Sequence, residues 1–489
     1  MKNFLQVIAT VFVLTSIVFA QQPQFEQYFK DQTMRIDYYH TGDSDSQTFA
    51  VDEIYLQGIW AGSTTHLIDK FNQGRYYAKV YDTDTGQLIF SKGFDSIFGE
   101  YQTTTPAQNG VNRTYHETVL IPCPKDSVRF AIEARDKQNN LHEAFTQVID
   151  PNDVNVIKEP VDGDIQVIDV VTSGDPHTNV DVAILAEGYA IDEIDKVTSD
   201  LEKFKGVFFG QEPYKSHMDK FNVYGVFKPS FQSGTDEPTH GTFRNTAVNT
   251  SFNSLNSPRY LLTEDNKAMR DIAAVVPYDA LFIMVNHKRY GGGGIYNLYC
   301  TFTTDNQWYE YLFVHEFGHS FAGLGDEYYT SSTAYNDFYP KGVEPTEPNV
   351  TALLDPPNVK WAEYVSPDIE IPTPWAKAKY DSMSNAYQAI RGELNNKIAR
   401  MKRDNAPEEE IADLEERAES LSKEHADTLD EFLENSPYAG KVGAFEGAGY
   451  SSEGLYRPML DCIMFSKGSK PYCTVCEQAI IDVIEYYSE

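Results

Sequence analysis

The sequence is short of positive charge. Lys and Arg together number 40 against 73 Asp and Glu, which gives a formal net charge of −33 over 489 residues. Nucleic acids and anionic membranes attract basic surfaces, so this balance argues against both as partners and mainly favours solubility. The composition, 41% hydrophobic and 13% aromatic, is globular. The length exceeds what one hydrophobic core usually organises, so we expect two domains.

Cysteine is also scarce. The five cysteines are an odd number for a chain exported to a compartment where disulfides form. Cys473 and Cys476 form a C-x-x-C, which can be a local disulfide, a redox pair or half of a zinc site. Because the sequence has no second C-x-x-C, structural cysteines are the simpler interpretation. Their pairing cannot be deduced from the sequence.

The apolar run from Phe4 to Ala20 lacks the marks of a membrane anchor. It is near the minimum of about 17 residues for a spanning helix, and no basic stop-transfer cluster follows it. Lys2 precedes the run, and Val18 and Ala20 occupy the small-residue positions before a cleavage site. We therefore predict a signal peptide at residues 1–20, secretion to an extracellular or periplasmic location, and no membrane insertion after cleavage. No cysteine lies at the cut, which argues against a lipoprotein anchor.

Residues 24–155 carry strand signals and little helix. The alternating segments 77–81 and 128–134 are each followed by polar turn residues, as in antiparallel hairpins. Several short strands of this kind predict an N-terminal β-sandwich domain. Residues 150–153 and 159–160 contain prolines and are predicted to form the linker that follows.

From residue 160 to residue 489 the pattern changes to strand, helix, strand. Residues 180–185, 221–227 and 281–285 are apolar runs typical of buried strands. Between the first two, apolar residues recur at intervals of three and four, as on one face of an amphipathic helix (Ile194, Val197, Leu201, Phe204 and Phe208). This alternation predicts an α/β layer with a mostly parallel sheet.

Residues 376–435 differ from the segments around them. They contain two apolar stripes, separated by Asn405 to Pro407, and proline suits the first position of a second helix. We predict a helical-hairpin insertion with a charged exterior and heptad-like contacts inside. His425 falls on the seam, where a core histidine is a simpler interpretation than a ligand. The stripes comprise Met383, Tyr387, Ile390, Leu394, Ile398 and Met401, and Ile411, Leu414, Ala418, Leu421, His425, Leu429 and Phe432.

The stretch HEFGHSFAGLGDEY at residues 315–328 lacks the third histidine that would usually complete its metal site. Residues i and i+4 lie one turn apart on a helix, so His315 and His319 can bind one zinc ion at about 2.0 to 2.1 Å. Glu316 lies beside them, placed to take a proton from a zinc-activated water. We expect Thr304 to Asn306 to cap this helix and Gly323 to end it.

A glycine-rich segment, residues 288–294, precedes the metal helix, and a strand-like run follows it at residues 295–302. A phosphate-binding loop is the alternative interpretation, but no Gly-Lys-Ser/Thr follows and the next element is a strand. An edge strand at this place can pair with an extended peptide.

The pattern H-E-x-x-H-x-x-x-G-x-x-D-E, with a distant Cys-Ile-Met, resembles the secreted IgA-peptidase-type metallopeptidases, a metzincin family. Further segments that resemble this family are Gly188 and Tyr189, residues 233–238 and residues 446–450. The resemblance covers residues 160 to 489, and members of the family commonly carry an all-β N-terminal domain. It implies an α/β metzincin-like zinc peptidase domain with His315 and His319 as ligands and Glu316 as base. Met464 would lie in the methionine turn beneath the metal. The family name by itself assigns no substrate.

The sequence departs from the usual metzincin pattern at the third ligand. Glycine stands at +8 and aspartate at +11 from His315, instead of glycine at +7 and histidine at +10. Gly323 permits a reversal of the chain, and Asp326 follows it at the usual interval of three residues, so we predict Asp326 as the third zinc ligand. Glu327 is the alternative ligand, with a simpler role as a partner that orients a histidine.

The predicted function is therefore that of a secreted zinc-dependent endopeptidase acting on protein or peptide substrates. Zinc would activate water, and Glu316 would serve as general base. A tyrosine can also hold the oxyanion, and Tyr328, Tyr450, Tyr456 and Tyr472 all remain candidates. One alternative function is a secreted binding protein with a vestigial zinc site; a structural zinc domain is another, but it would need four protein ligands and no base.

Overall fold

The computed structural model describes residues 22–158, 163–330 and 338–489. The predicted signal peptide and the predicted linker residues Glu159 and Pro160 lie outside these ranges. The other predicted linker segment forms a turn in which the N–H of Asp153 donates to the carbonyl of Asp150.

The N-terminal part is rich in β-structure, as predicted. Its two antiparallel sheets have the strand orders β2-β1-β5 and β4-β3-β6-β7. Strands from both sheets contribute side chains to one apolar core, which includes Ile36 of β1 and Val80 of β3. The elements are α1 Phe25–Tyr28, β1 Phe29–Gly42, β2 Gln47–Leu56, β3 Tyr76–Asp82, β4 Leu88–Phe94, α2 Ile97–Tyr101, α3 Thr105–Gln108, β5 Arg113–Pro124, β6 Val128–Arg135 and β7 Leu141–Ile149.

The C-terminal part is a mixed α/β unit. Its first elements are β8 Gln166–Val171, β9 Val180–Glu187, α4 Ile194–Phe208, β10 Phe221–Phe227, α5 Asn266–Ala273, β11 Ala280–Val285, β12 Gly292–Ile295, β13 Tyr299–Thr303 and α6 Tyr309–Ala322. The later elements are α7 Lys377–Arg403, α8 Glu408–Glu434, β14 Phe445–Ala448, β15 Ser451–Arg457 and α9 Thr474–Ser488.

The main sheet has the order β12-β13-β11-β9-β10-β8. Strands β13, β11, β9 and β10 are parallel, whereas β12 and β8 run antiparallel at the two edges. The predicted mostly parallel sheet is therefore present. Helices α4 and α6 contact each other and share the core that covers one face of this sheet.

Two local predictions near the metal motif were wrong. The run at residues 295–302 is not one strand, because Asn297 takes a left-handed conformation (φ 54°) and the chain turns between β12 and β13. The capping residues do not begin α6 directly. Asn306 instead hydrogen-bonds Thr303 and accepts from the N–H of Trp308, and α6 begins at Tyr309.

Helices α7 and α8 lie in the region predicted as a hairpin. They contact each other through Leu394, Ile398 and Ala418. His425 stacks on Tyr387 with ring centroids 4.0 Å apart, which fits a packing role. Ile390 departs from the predicted apolar stripe, since its side chain is 52% exposed.

The base of this helical pair belongs to the main core. Tyr380 of α7 stacks on Phe465, and Leu429 and Leu433 of α8 join the same apolar cluster as α6. The base of the predicted hairpin at residues 376–435 therefore packs into the main core, and only the outer parts of the two helices lie away from it.

The N-terminal and C-terminal parts pack directly on each other. His66 accepts a hydrogen bond from the hydroxyl of Tyr486 at its carbonyl, and its Nδ1 lies 2.9 Å from the carbonyl of Tyr486. Near the metal motif, the N–H of Asp95 donates to the carbonyl of Tyr296. Within the described residues, no helix combines the length and apolar character needed to cross a bilayer.

Candidate active site

Helix α6 presents His315 and His319 on one face and phenylalanines on another. Phe313 and Phe317 stack on Phe282 of β11, with ring centroids 4.5 and 4.6 Å apart. Because these rings are buried against the sheet, the helix cannot rotate without losing apolar contacts. The packing therefore fixes the direction in which the two imidazoles point.

Glycines in β12 allow α6 to approach the edge strand. A Cβ atom added at Gly294 would lie 2.3 Å from the carbonyl oxygen of Glu316 and 2.9 Å from Cβ of His319. A Cβ atom at Gly292 would lie 2.9 Å from Oε1 of Glu316. The glycine-rich segment thus forms a wall of backbone against the metal motif, and nothing in this arrangement resembles a phosphate loop.

The helix ends where the sequence predicts. Gly323 adopts the left-handed conformation at φ 60°, and the chain turns back beside the helix. The carbonyl of Leu324 accepts a hydrogen bond from Nδ1 of His319 at 2.5 Å. A carbonyl only accepts, so this contact places a hydrogen on Nδ1, and in the neutral ring Nε2 is then the nitrogen that can bind a metal.

The reversal at Gly323 brings Asp326 next to the two histidines. Its Oδ1 lies 3.1 Å from Nε2 of His315 and 3.2 Å from Nε2 of His319, and the two Nε2 atoms are 3.2 Å apart. Ligands of a tetrahedral ion at about 2.0 to 2.1 Å would lie about 3.3 Å apart, close to these distances. Oδ1 is buried and accepts no well-aligned hydrogen bond within the described residues. The three atoms therefore fit the predicted zinc ligands.

The residues of the predicted methionine turn lie under this triangle. The carbonyl of Ile463 accepts from Nδ1 of His315 at 3.0 Å, which orients that ring as Leu324 orients the other. Met464 is fully buried, and its sulfur would lie 3.1 Å from a Cβ atom added at Gly318 of α6. Met464 thus packs against the helix directly below the histidines.

Glu327 does not share the site of its neighbour. Its carboxylate points away from the histidines and accepts a hydrogen bond from the side-chain amide of Asn349 at 3.0 Å. Its Oε1 lies 3.2 Å from the sulfur of Cys476. The predicted alternative roles of Glu327, as third ligand of this site or as a partner that orients a histidine, are therefore wrong.

The four tyrosines that are candidates for oxyanion binding lie in different surroundings. Tyr450 donates to Oδ2 of Asp326 at 2.6 Å, and the ring of Tyr328 stacks above His315 with centroids 6.3 Å apart. Tyr472 is buried beneath α6, where it donates to the carbonyl of Val314. Tyr456 does not line the cleft. Of these four, Tyr450 and Tyr328 are therefore the ones that can reach a substrate here.

Burial and neighbouring charges shift the pKa values of the ionisable residues in the site. Burial opposes ionisation of Asp326, but the adjacent histidines outweigh it and hold the pKa of this carboxyl well below its usual range. Burial likewise opposes a charged His319, yet Asp326 raises its pKa to about 9. Burial raises the pKa of Glu316, which keeps a proton more readily than an exposed glutamate. A divalent ion bound at Nε2 would displace the histidine proton.

The site opens into a cleft, which together with the solvent at its open side contains about 1130 Å³ of empty space. Its wall includes Gly293 to Ile295 of β12 and residues of the N-terminal part, among them Arg75 and Glu100. Arg259 also lines it and lies 3.4 Å from the hydroxyl of Tyr328. Sequence reasoning missed Arg75, Glu100 and Arg259, because nothing local marks an arginine or glutamate that folding brings to a cleft.

Comparison with known families agrees with this geometry. The model of the IgA peptidase M64 family matches residues 168–484, and that of the peptidase M64 N-terminus matches residues 24–146. The chain belongs to the IgA peptidase M64 family. The predicted resemblance is confirmed, and membership makes the chain a peptidase with protein or peptide substrates. A search of curated proteins found no match.

The M64 match spans the metal motif, the aspartate that follows it and the methionine turn, so these residues all lie inside the peptidase region. The N-terminal match covers the β-rich part that forms one wall of the cleft. Both matched regions of this M64 peptidase therefore contribute to the same cleft.

Proposed function

We propose that this M64 peptidase is an exported zinc endopeptidase in which His315, His319 and Asp326 bind the metal and Glu316 is the general base. The observation that carries the proposal is the triangle of two Nε2 atoms and one buried carboxylate oxygen, with sides of 3.1 to 3.2 Å. Export is supported by the signal-peptide pattern at residues 1–20. The acidic composition argues against nucleic-acid partners.

Zinc bound there would polarise the scissile carbonyl and lower the pKa of water toward about 7. Glu316 would then take a proton from the attacking water and deliver it to the leaving amine. Its raised pKa suits the first step, because a carboxylate with a pKa nearer neutrality takes a proton from water more readily. Ile463 and Leu324 would hold the histidines in the tautomer that keeps Nε2 available.

The substrate would lie in the cleft along β12. Gly293 to Ile295 line the cleft beside Glu316, and β12 is the edge strand of the main sheet. The outer side of β12 is already bridged at Gly292, where Leu261 donates to its carbonyl. An extended peptide would therefore pair with the following residues of the strand, beyond that bridge. Tyr328 and Tyr450 lie on the opposite side, where one of them would hold the oxyanion.

The test is hydrolysis of a denatured protein and of small peptides, measured before and after chelation and after return of zinc chloride. We expect chelation to abolish hydrolysis and zinc to restore it. Glu316→Gln should retain zinc and lose at least about 10²-fold in kcat, since it keeps the shape but removes the base. Glu310→Gln is the matched control, because Glu310 is exposed in the first turn of the same helix.

Hydrolysis by Glu316→Gln near the parent rate would exclude the proposed base. A chelator-insensitive activity would exclude the metal. No hydrolysis of any protein or peptide by the zinc-loaded parent would favour the alternative of a binding protein with a vestigial site.

A further inference from the structure

A second cluster of possible metal ligands lies outside the cleft. It consists of Glu327, Cys462, Cys473 and Cys476, whose carboxylate and sulfur atoms all lie within 4.8 Å of one another. All four residues are buried, with at most 3% of any residue exposed. None of the four lines the peptidase cleft. The C-x-x-C of the sequence therefore has two partners that its local pattern does not reveal.

The distances within the cluster fit a tetrahedral ion. The sulfur atoms of Cys462 and Cys476 are 3.9 Å apart, and Oε1 of Glu327 lies 3.2 Å from Cys476 and 3.8 Å from Cys473. With zinc–sulfur bonds of about 2.3 Å and zinc–oxygen bonds of about 2.0 to 2.2 Å, tetrahedral geometry gives edges of about 3.8 Å between sulfurs. The edges from sulfur to oxygen would be about 3.5 Å.

The backbone points N–H donors at two of the three sulfurs. The N–H groups of Met464 and Cys473 donate to the sulfur of Cys462 at 3.4 and 3.2 Å. The N–H of Cys476 donates to the sulfur of Cys473, which caps the start of α9. Donors aimed at sulfur stabilise its ionised form, as does the first turn of a helix. These contacts come from the backbone and need no other side chain.

The carboxylate of Glu327 makes no ion pair with a lysine, arginine or histidine within the described residues. Oε2 of Glu327 is buried and has no hydrogen-bond partner within them. The guanidinium of Arg457 is buried nearby but donates to the carbonyls of Gly447 and Leu460. A buried carboxylate beside three thiols is costly unless a cation or bound protons neutralise it. A disulfide would remove two thiols and leave that cost in place.

We propose that Glu327, Cys462, Cys473 and Cys476 bind a second zinc ion with a structural role. Three sulfurs and one oxygen at tetrahedral distances match zinc, and a buried site with four protein ligands has no open position for substrate.

The position of this second site gives it a mechanical role. Glu327 directly follows Asp326, and Cys462 directly precedes Ile463, whose carbonyl orients His315. The N–H of Glu327 also donates to the carbonyl of Met464 at 2.9 Å. A metal there would link the segment that carries Asp326 to the methionine turn. This link would stabilise the arrangement of the ligands in the first site.

The test is the zinc content and zinc X-ray absorption spectrum of the full chain, purified with zinc chloride and then dialysed. We expect two zinc ions per chain in the parent. His315→Ala combined with His319→Ala should keep one ion, with a shell of three sulfurs at about 2.3 Å. Cys473→Ser combined with Cys476→Ser should lose the sulfur shell. Cys300→Ser is the matched control, since Cys300 is equally buried but lies in β13, away from the cluster.

The sulfur shell reports on the cysteine site alone, so its outcome is independent of the peptidase proposal. The spectrum of the parent needs no variant and therefore stands even where the cysteine variant fails to fold. A folded parent without zinc–sulfur scattering would overturn the proposal. So would fewer than five free thiols after denaturation with a chelator, which would show a disulfide instead.

Discussion

Tyr450 donates its hydroxyl hydrogen to Oδ2 of Asp326 over 2.6 Å, while Oδ1 of the same carboxylate faces the two histidines. The tyrosine therefore fixes the rotation of the carboxylate about its own axis. Without this contact, Asp326 could turn and withdraw the oxygen that completes the triangle.

Tyr450→Phe should therefore weaken zinc retention and lower kcat/KM by about 10- to 100-fold, the usual effect of losing a partner that orients a metal ligand. Zinc affinity by competition with a chelator separates this role from oxyanion binding. If Tyr450 held only the oxyanion, kcat would fall while zinc affinity stayed unchanged. Tyr456→Phe is the control, because Tyr456 lies outside the cleft.

Gly294→Ala should disrupt the site through packing alone. The new methyl group would meet the backbone of α6 at 2.3 Å, a distance that only a shift of the helix or strand relieves. We expect a loss of about 1 to 3 kcal/mol in stability and a larger loss of activity. Gly392→Ala in α7 meets no atom within 4 Å and should raise stability by up to about 1 kcal/mol. Equal melting temperatures for the two variants would contradict this account.

The outer part of α7 and α8 should be dispensable for catalysis. Tyr387 and His425 face each other across the two helices, so a short glycine linker can replace residues 388–424. This outer part meets the rest of the chain through polar contacts, such as the exposed pair of Lys288 with Glu415 and the indole N–H of Trp308 with Ser422. Exposed ion pairs contribute little to stability. We expect unchanged zinc content and small-peptide cleavage within about two-fold. Loss of zinc from a folded deletion variant would show that the helices support the site.

The stability should also depend on pH through the carboxyl groups of Asp181, which is buried, and of Asp279, which is half-buried. Burial raises the pKa of Asp279 to about 7, and burial together with the nearby Asp279 raises that of Asp181 to about 8. Both pKa values lie above the unfolded value of about 3.9, so the folded state binds protons more tightly. Stability from this pair is fully present below about pH 4 and is lost as the pH rises toward 7 and 8.

Asp279→Asn should therefore raise the melting temperature at pH 8 and have little effect at pH 4. The amide oxygen can still accept the hydrogen bond that Asp181 donates from its N–H at 2.9 Å. Thermal denaturation at the two pH values measures the difference. A shift of the same size at both would mean that ionisation of Asp279 is not its cause.

Local sequence patterns were sufficient to predict much of the candidate site. The spacing of His315 and His319 fixed their common face, and the left-handed freedom of Gly323 led to the return of Asp326. The interruption of the predicted strand at residues 295–302 could also have been predicted, because asparagine at position 297 tolerates the left-handed conformation better than most residues. The start of α6 at Tyr309 could not have been predicted, since it depends on Asn306 bonding to Thr303 instead of capping the helix.

Contacts between segments that are distant in the chain could not be predicted from the sequence. Tyr450 stands 124 residues from Asp326, and Cys476 stands 149 residues from Glu327. No periodicity links such pairs, because the fold alone decides which loops meet. The lone C-x-x-C therefore lacked visible partners, and the tyrosines could not be ranked until the cleft was known.

The carbonyl that orients His315 belongs to Ile463, 148 residues further along the chain. A ribosome therefore completes the metal helix long before it makes the segment on which that helix depends. Until residues 462–476 have emerged, the histidines lack both the turn beneath them and the cysteines behind Glu327. A chain still being synthesised would therefore hold its histidines without the carbonyl that orients His315.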